Sequence, residues 1–152
     1  MQIVAAAGAG FLLAVLWFDL MFDVQVRGRP VAVLPENVLA SISAYYRRVT
    51  TEASPMNRLV PLAMLATVGA IVGEIVRARH TPWLSWGALA LLSPVLANTF
   101  WRTVPNAVRL GTARDDAERR SSLARAIYRD HAVAFAAMCA VLALQLAAHG
   151  IG

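Results

Sequence analysis

The sequence predicts an all-α fold: a four-helix transmembrane bundle with a short amphipathic interfacial helix on the cytoplasmic side. Three observations predict it. Apolar residues make up 59% of the chain, against about 45–50% in a soluble domain. The excess falls in four blocks, giving spans at about residues 3–22, 57–77, 82–101 and 127–148. Each is near the roughly 20 residues that cross about 30 Å of hydrocarbon. Arginine, the only Lys/Arg-type residue present, is very unevenly shared between the two ends of those spans. The length, 152 residues, suits one domain covering 1–152. A soluble bundle would carry one apolar stripe per helix, whereas these blocks are apolar on every face.

The first span lacks a basic leader, since Met1, Gln2 and Ile3 carry no side-chain charge. Its apolar run is long and ends in Trp17, Phe18 and Asp19, so it reads as a retained helix and not a cleaved signal peptide. Ala5, Ala6, Ala7, Gly8, Ala9 and Gly10 make its outer half small-sided, which lets helix backbones approach in lipid. Trp17, Phe18 and Phe22 lie toward the inner interface. Arg27, Gly28, Arg29 and Pro30 form a turn. Over residues 36–50, Val38, Leu39, Ile42, Tyr45, Tyr46 and Val49 recur at helical spacing. This amphipathic helix either lies on the cytoplasmic membrane surface or packs on the end of the bundle.

Ser54 and Pro55 are an N-cap and first-turn pair for the second span. Gly69 and Gly73 within it have the spacing of a helix-packing face. Thr81 and Pro82 open the third span in the same way, and Pro94 predicts a kink near its middle. Trp83 and Trp86 at one end, with Phe100 and Trp101 at the other, form two aromatic belts. Thr103, Val104, Pro105 and Asn106 read as a turn. Asp115, Asp116 and Glu118 precede Arg119, Arg120, Arg125 and Arg129, the order that suits a helix dipole. One long helix over about 115–148 is expected, its first half in the cytoplasm.

Ionisable residues at membrane depth are costly and mark sites. Asp19 and Asp23, four apart, share a face at the inner end of the first span. Asn98 and Arg102, also four apart, close the third. Asn57 and Arg58 open the second, and Tyr128, Arg129 and His131 lead into the fourth. These groups meet at the cytoplasmic mouth. The candidate catalytic residues are Asp19, Asp23, His131 and Arg102, and the candidate ligand-binding residues include Asn98, Arg58 and Tyr128. The structural alternative is that Asp19 or Asp23 pairs with Arg58, Arg102 or Arg129 and ties helices together, while other arginines snorkel to head groups. His131 is expected to face inward toward Asp19 or Asn98, and Asp130 outward, because successive helical residues point about 100° apart.

Arginines around this mouth favour an anionic or polar ligand, and no metal ligands are assigned. No cofactor is identified. His80 and His149 read as surface histidines, and a haem held between two membrane histidines has no candidates. Glu74 is expected to pair with Arg77 one turn later. The lone Cys139 excludes an intrachain disulfide and a cysteine redox pair. There is no phosphate-binding glycine loop, His-Glu-x-x-His or Gly-x-Ser-x-Gly. The net charge of +5 flanks apolar spans, so it speaks for membrane orientation and not for nucleic acid.

The run Trp101, Arg102, Thr103, Val104, Pro105, Asn106, an Arg/Asp-rich helical stretch, and then Tyr128, Arg129, Asp130 and His131 cover about the last third of the chain. This order resembles the anthrone-oxygenase-like family of small four-helix membrane proteins. The resemblance implies a bundle whose polar mouth handles a flat aromatic or quinone-like substrate, with Asn106 and His131 as the positions carried over. Two functions follow. One is an oxidoreductase-like or oxygenase-like enzyme, or binder, of a lipophilic aromatic. The other is a non-catalytic structural or accessory subunit, as a homo-oligomer or in a larger membrane complex. The lipid bilayer is the partner common to both.

The arginines also set an orientation. The connections after the first and third spans hold Arg27, Arg29, Arg47, Arg48, Arg58, Arg102, Arg109, Arg114, Arg119, Arg120, Arg125 and Arg129, against Arg77 and Arg79 on the other side. Positive loops stay in the cytoplasm, so both termini are expected outside an inner, multi-pass membrane location. Reporter fusions at Gly152 and Arg79 are expected to read as outside, and fusions at Arg48 and Arg114 as inside. A cytoplasmic signal at Gly152 would overturn this topology.

Overall fold

A computed structural model of the protein describes residues 1–29, 31–77 and 82–150. It is all-α, with no strand among the described residues. Helix α1 is Gln2–Asp23, continued by a 3-10 turn at Val24–Val26. Helix α2 is Glu36–Arg47, ending in a π turn at Arg48–Glu52. Helices α3, Met56–Val76, and α4, Pro82–Asn98, follow. A second π turn at Thr99–Thr103 leads into α5, Val104–Thr112, and α6 is Ala117–Gly150.

Four helical stretches are long and apolar enough to cross a membrane: Gln2–Val26, Asn57–Val76, Trp83–Thr112 and Ala117–Ala148. Their outward faces carry Trp17, Phe18, Trp83, Trp86 and Trp101, all largely exposed. Contiguous apolar surface of this kind is covered by lipid. The chain is a multi-pass membrane protein. Helix α1 packs on α3 and α6, and α4 packs on α6 and α3, so the four form a closed ring with α1 and α4 at opposite corners. Ala5, Ala9 and Leu12 meet Ala70, Ile71, Ala88, Leu92, Met138 and Val141 at its centre.

The predicted turn at residues 103–106 is absent. The chain stays helical to Thr112, because Pro105 occupies the first turn of α5, where a missing N–H is tolerated. The reversal comes instead at Ala113, which adopts a left-handed cap with φ of 52°. Arg109 and Asp115 form a two-bonded ion pair, both contacts 2.8 Å, across that reversal.

Helix α2 packs on the bundle end. Val38, Leu39, Ile42 and Tyr46 are buried against Ala107 and Leu110 of α5 and Leu123, Ala124 and Ile127 of α6. The segment before it and its first residue are tied to α6 by three α6 residues. Arg125 donates to the Val31 and Ala32 carbonyls. The Leu34 N–H donates to Ser121 Oγ at 2.9 Å. Arg120 grips Glu36 with contacts of 3.0 and 2.9 Å, and these bonds hold the Glu36 carboxyl below the usual carboxylate range.

Other local expectations change. Ser54 makes no cap, and α3 begins at Met56 without a side-chain cap bond. Thr81 lies outside the described residues. Gly69 has open space around it and Gly73 meets only the Met1 side chain, so this pair is no helix-packing seam. The close approach of α1 to α3 is at Gly8, where a Cβ would collide with Thr67.

The tightest junction of α2 with α5 is at Gly111. A Cβ there would lie 2.8 Å from the Arg47 backbone nitrogen, and backbone cannot swing aside. Gly111→Ala is therefore expected to cost about 1–3 kcal/mol. Gly10→Ala, with nothing within 4 Å, is expected to show no such loss. Thermal unfolding in detergent checks both.

Candidate functional site

Asp23, the last residue of α1, has no exposed surface. A buried carboxyl needs donors from the protein. His131 of α6 donates through Nδ1 to Asp23 Oδ2 at 2.7 Å. The Tyr46 hydroxyl of α2 donates to Asp23 Oδ1 at 2.6 Å and lies 3.4 Å from His131 Nδ1. Tyr46 and His131 are themselves buried. Three helices thus converge on one carboxyl.

One turn back on α1, Asp19 Oδ1 accepts the Tyr45 hydroxyl at 2.7 Å. The Tyr45 ring stacks on Phe22, with centroids 4.0 Å apart and planes within 11°. Asp19 and Tyr45 are half-buried, so they are the open edge of a cluster whose interior is closed. Burial, reinforced by the neighbouring Asp19 and Asp23 carboxyls, pushes both phenols well above their ordinary range. Tyr45 and Tyr46 therefore remain O–H donors.

A second cluster lies on the other flank of α6. Thr103, buried in the π turn, donates to Asp130 Oδ2 at 3.2 Å. Asn98 Nδ2 donates to Thr103 Oγ1 at 3.2 Å. Arg102 Nε is 3.5 Å from Asp130 Oδ2. π turns recur at functional sites, and this one places Thr103 and Arg102 together on the α6 side.

The single convergence expected at the mouth is therefore two clusters. His131 and Asp130 are adjacent on α6 and point about 100° apart, one toward α1 and α2, the other toward the end of α4. Asp130 faces protein and not solvent. Asp19 and Asp23 pair with none of Arg58, Arg102 or Arg129: their partners are Tyr45, Tyr46 and His131. For Arg102 the reason is geometric, since α1 and α4 occupy opposite corners of the ring. Arg58 and Arg129 are exposed. Tyr128 packs against the core shared by α2, α5 and α6, and Asn106 is half-buried on α5. Glu74 accepts from Ser85 Oγ at 2.9 Å, not from Arg77.

Among the described residues no three His, Cys, Asp or Glu side chains are grouped to hold a metal. His80 lies outside them. An apolar groove of about 350 Å³, lined by Gly10, Leu13, Ala14, Trp17, Phe18 and Phe135, opens on the outer face of α1 and α6. Tyr45, Tyr46 and Thr103 escaped the sequence reading as site residues. A tyrosine on the apolar face of an amphipathic helix was the available signal, because a buried phenol needs a hydrogen-bond partner. Comparison with protein-family models, curated proteins and solved structures finds no match.

Chemically, the Asp23 carboxyl and the His131 imidazole share one short hydrogen bond along which a proton can shift, while Tyr46 stays an O–H donor to the same carboxyl. Asp23→Ala strands a buried imidazole and a buried phenol. It is expected to cost about 3–5 kcal/mol. Arg102→Ala removes a half-exposed pair and is expected to cost about 0–1 kcal/mol. Chemical unfolding in detergent, run on both variants, separates these values; equal losses would show that Asp23 is not the centre of the junction.

Proposed function

We propose that this is an inner-membrane protein, with both termini outside, whose Arg-rich end binds a lipophilic aromatic or quinone-like molecule and exchanges a proton with it. What carries the reading is the half-open Asp19–Tyr45 pair standing in front of the buried Asp23, His131 and Tyr46 set. Asp19 Oδ1 is engaged by Tyr45, which leaves Oδ2 to accept a ligand hydroxyl. The stacked Phe22 and Tyr45 rings offer a flat apolar surface beside it. His131 lies behind, hydrogen-bonded to the buried Asp23 carboxyl. Twelve arginines against two support the orientation.

The resemblance to the anthrone-oxygenase-like family points to the same ligand class and keeps Asn106 and His131 in view. It also suggests oxidation of the bound ring. The residues of this chain supply binding and proton transfer, so such a step would take its oxidant from elsewhere. Arg102, engaged with Asp130, is left out of the ligand set.

One observation favours a second reading, a non-catalytic accessory subunit. Asp23 is closed off completely, as a junction joining three helices would be. Titration of the detergent-solubilised protein with tetramethyl-quinol, followed by tryptophan quenching, distinguishes the two. Saturable quenching is expected, weakened about tenfold or more by Asp19→Asn, equivalent to about 1.4 kcal/mol, with little change in Tm. No saturable quenching in the wild type would hand the chain to the accessory-subunit reading.

A further inference from the structure

The opposite end of the bundle holds a polar layer that the Arg-rich end does not use. Glu74 of α3, Ser85 of α4 and Gln145 of α6 are all buried. Ser85 Oγ spends its proton on Glu74 Oε2 at 2.9 Å. Glu74 Oε1 and Gln145 Oε1 have no hydrogen-bond partner among the described residues. Both are acceptor atoms, and a buried acceptor without a donor carries its full desolvation penalty.

Ser85 and Gln145 lie near one height. Helices α4 and α6 run antiparallel, and a Cβ on Gly87 would be 3.7 Å from Leu144 Cδ1. With a rise of about 1.5 Å per residue, Ser85 and Gln145 therefore stand within about one residue of the same level. Glu74 is bonded to Ser85 directly. Gln2 Nε2, the amide of α1 at this end, donates to the Ala148 carbonyl, so it is already committed. Glu74 and Gln145 thus stand on the two helices that flank α4, each with a buried oxygen that has no partner among the described residues.

We propose that this layer binds a monovalent alkali cation, held by Glu74 Oε1, Ser85 Oγ and Gln145 Oε1, with water completing its shell. Hard oxygen donors suit such an ion. One carboxylate and two neutral oxygens carry a single formal charge, which a monovalent cation cancels. A divalent ion would leave net charge among apolar helices, where it is costly.

The test uses the full chain in detergent, with sodium chloride or potassium chloride compared with choline chloride at equal ionic strength. A saturable rise in Tm of about 3 °C or more in one alkali salt is expected. Glu74→Gln is expected to abolish it, Gln145→Leu to weaken it, and Arg102→Ala, at the other end, to leave it intact. Calorimetric titration of the wild type with sodium or potassium chloride provides a reading that does not depend on any variant folding. The proposal is overturned by equal melting in all three salts with no heat of binding, or by a shift that survives Glu74→Gln. It also fails if stability responds to pH alone, which would make Glu74 a proton site.

Discussion

A carboxyl group with no exposed surface must be given hydrogen-bond donors by the protein, and Asp23 draws both of its donors from other helices. That requirement fixes much of the Arg-rich end. Tyr46 reaches Asp23 only if α2 lies across the bundle. Helix α2 lies there because Leu39 and Ile42 bury themselves against α5 and α6. Its approach is held by Arg120, Ser121 and Arg125, all in the first part of α6. The apolar face supplies the free energy, and the polar contacts choose one placement among the many that would bury it.

The charges are sorted by this arrangement. Among the described residues, guanidinium groups pair with Asp130, Asp115, Glu36 and Glu52 or bond backbone carbonyls, and none reaches Asp19 or Asp23. The Asp19 and Asp23 carboxyls are left to phenols and an imidazole. A mouth crowded with guanidiniums would attract anions, whereas under the proposed function the half-open Asp19 carboxyl would accept from a ligand hydroxyl. The chemistry assigned to the site thus depends on which flank of α6 each residue occupies, a difference of about 100° between His131 and Asp130.

Between the two ends the interior is small and apolar, with Ala5, Ala9, Ala70 and Ala88 around Ile71 and Leu92. Small side chains let the helices close together. In lipid such packing replaces the hydrophobic drive that water would provide, so the polar layers at either end become the features that set the relative height of the helices. Gly8 against Thr67 and Gly111 against Arg47 mark where the backbones come closest.

The four spans and the amphipathic α2 were legible in the chain, because burial in lipid requires long runs of apolar residues and an amphipathic helix requires helical spacing. So was the presence of carboxyls and an imidazole at one end, since charge within a span is rare. Partners were not. Sequence spacing places Asp19 beside Asp23 and sets Asp130 and His131 apart, but it says nothing of which corner of the ring a helix takes. The turn expected at Pro105 failed for a similar reason: a proline ends a helix or begins one according to the residues that precede it in space. Apolar length and period, which are properties of single segments, were settled by the sequence alone. Which donors a buried carboxyl finds was decided only by tertiary structure, because hydrogen bonds reach about 3 Å and depend on where three separate helices meet.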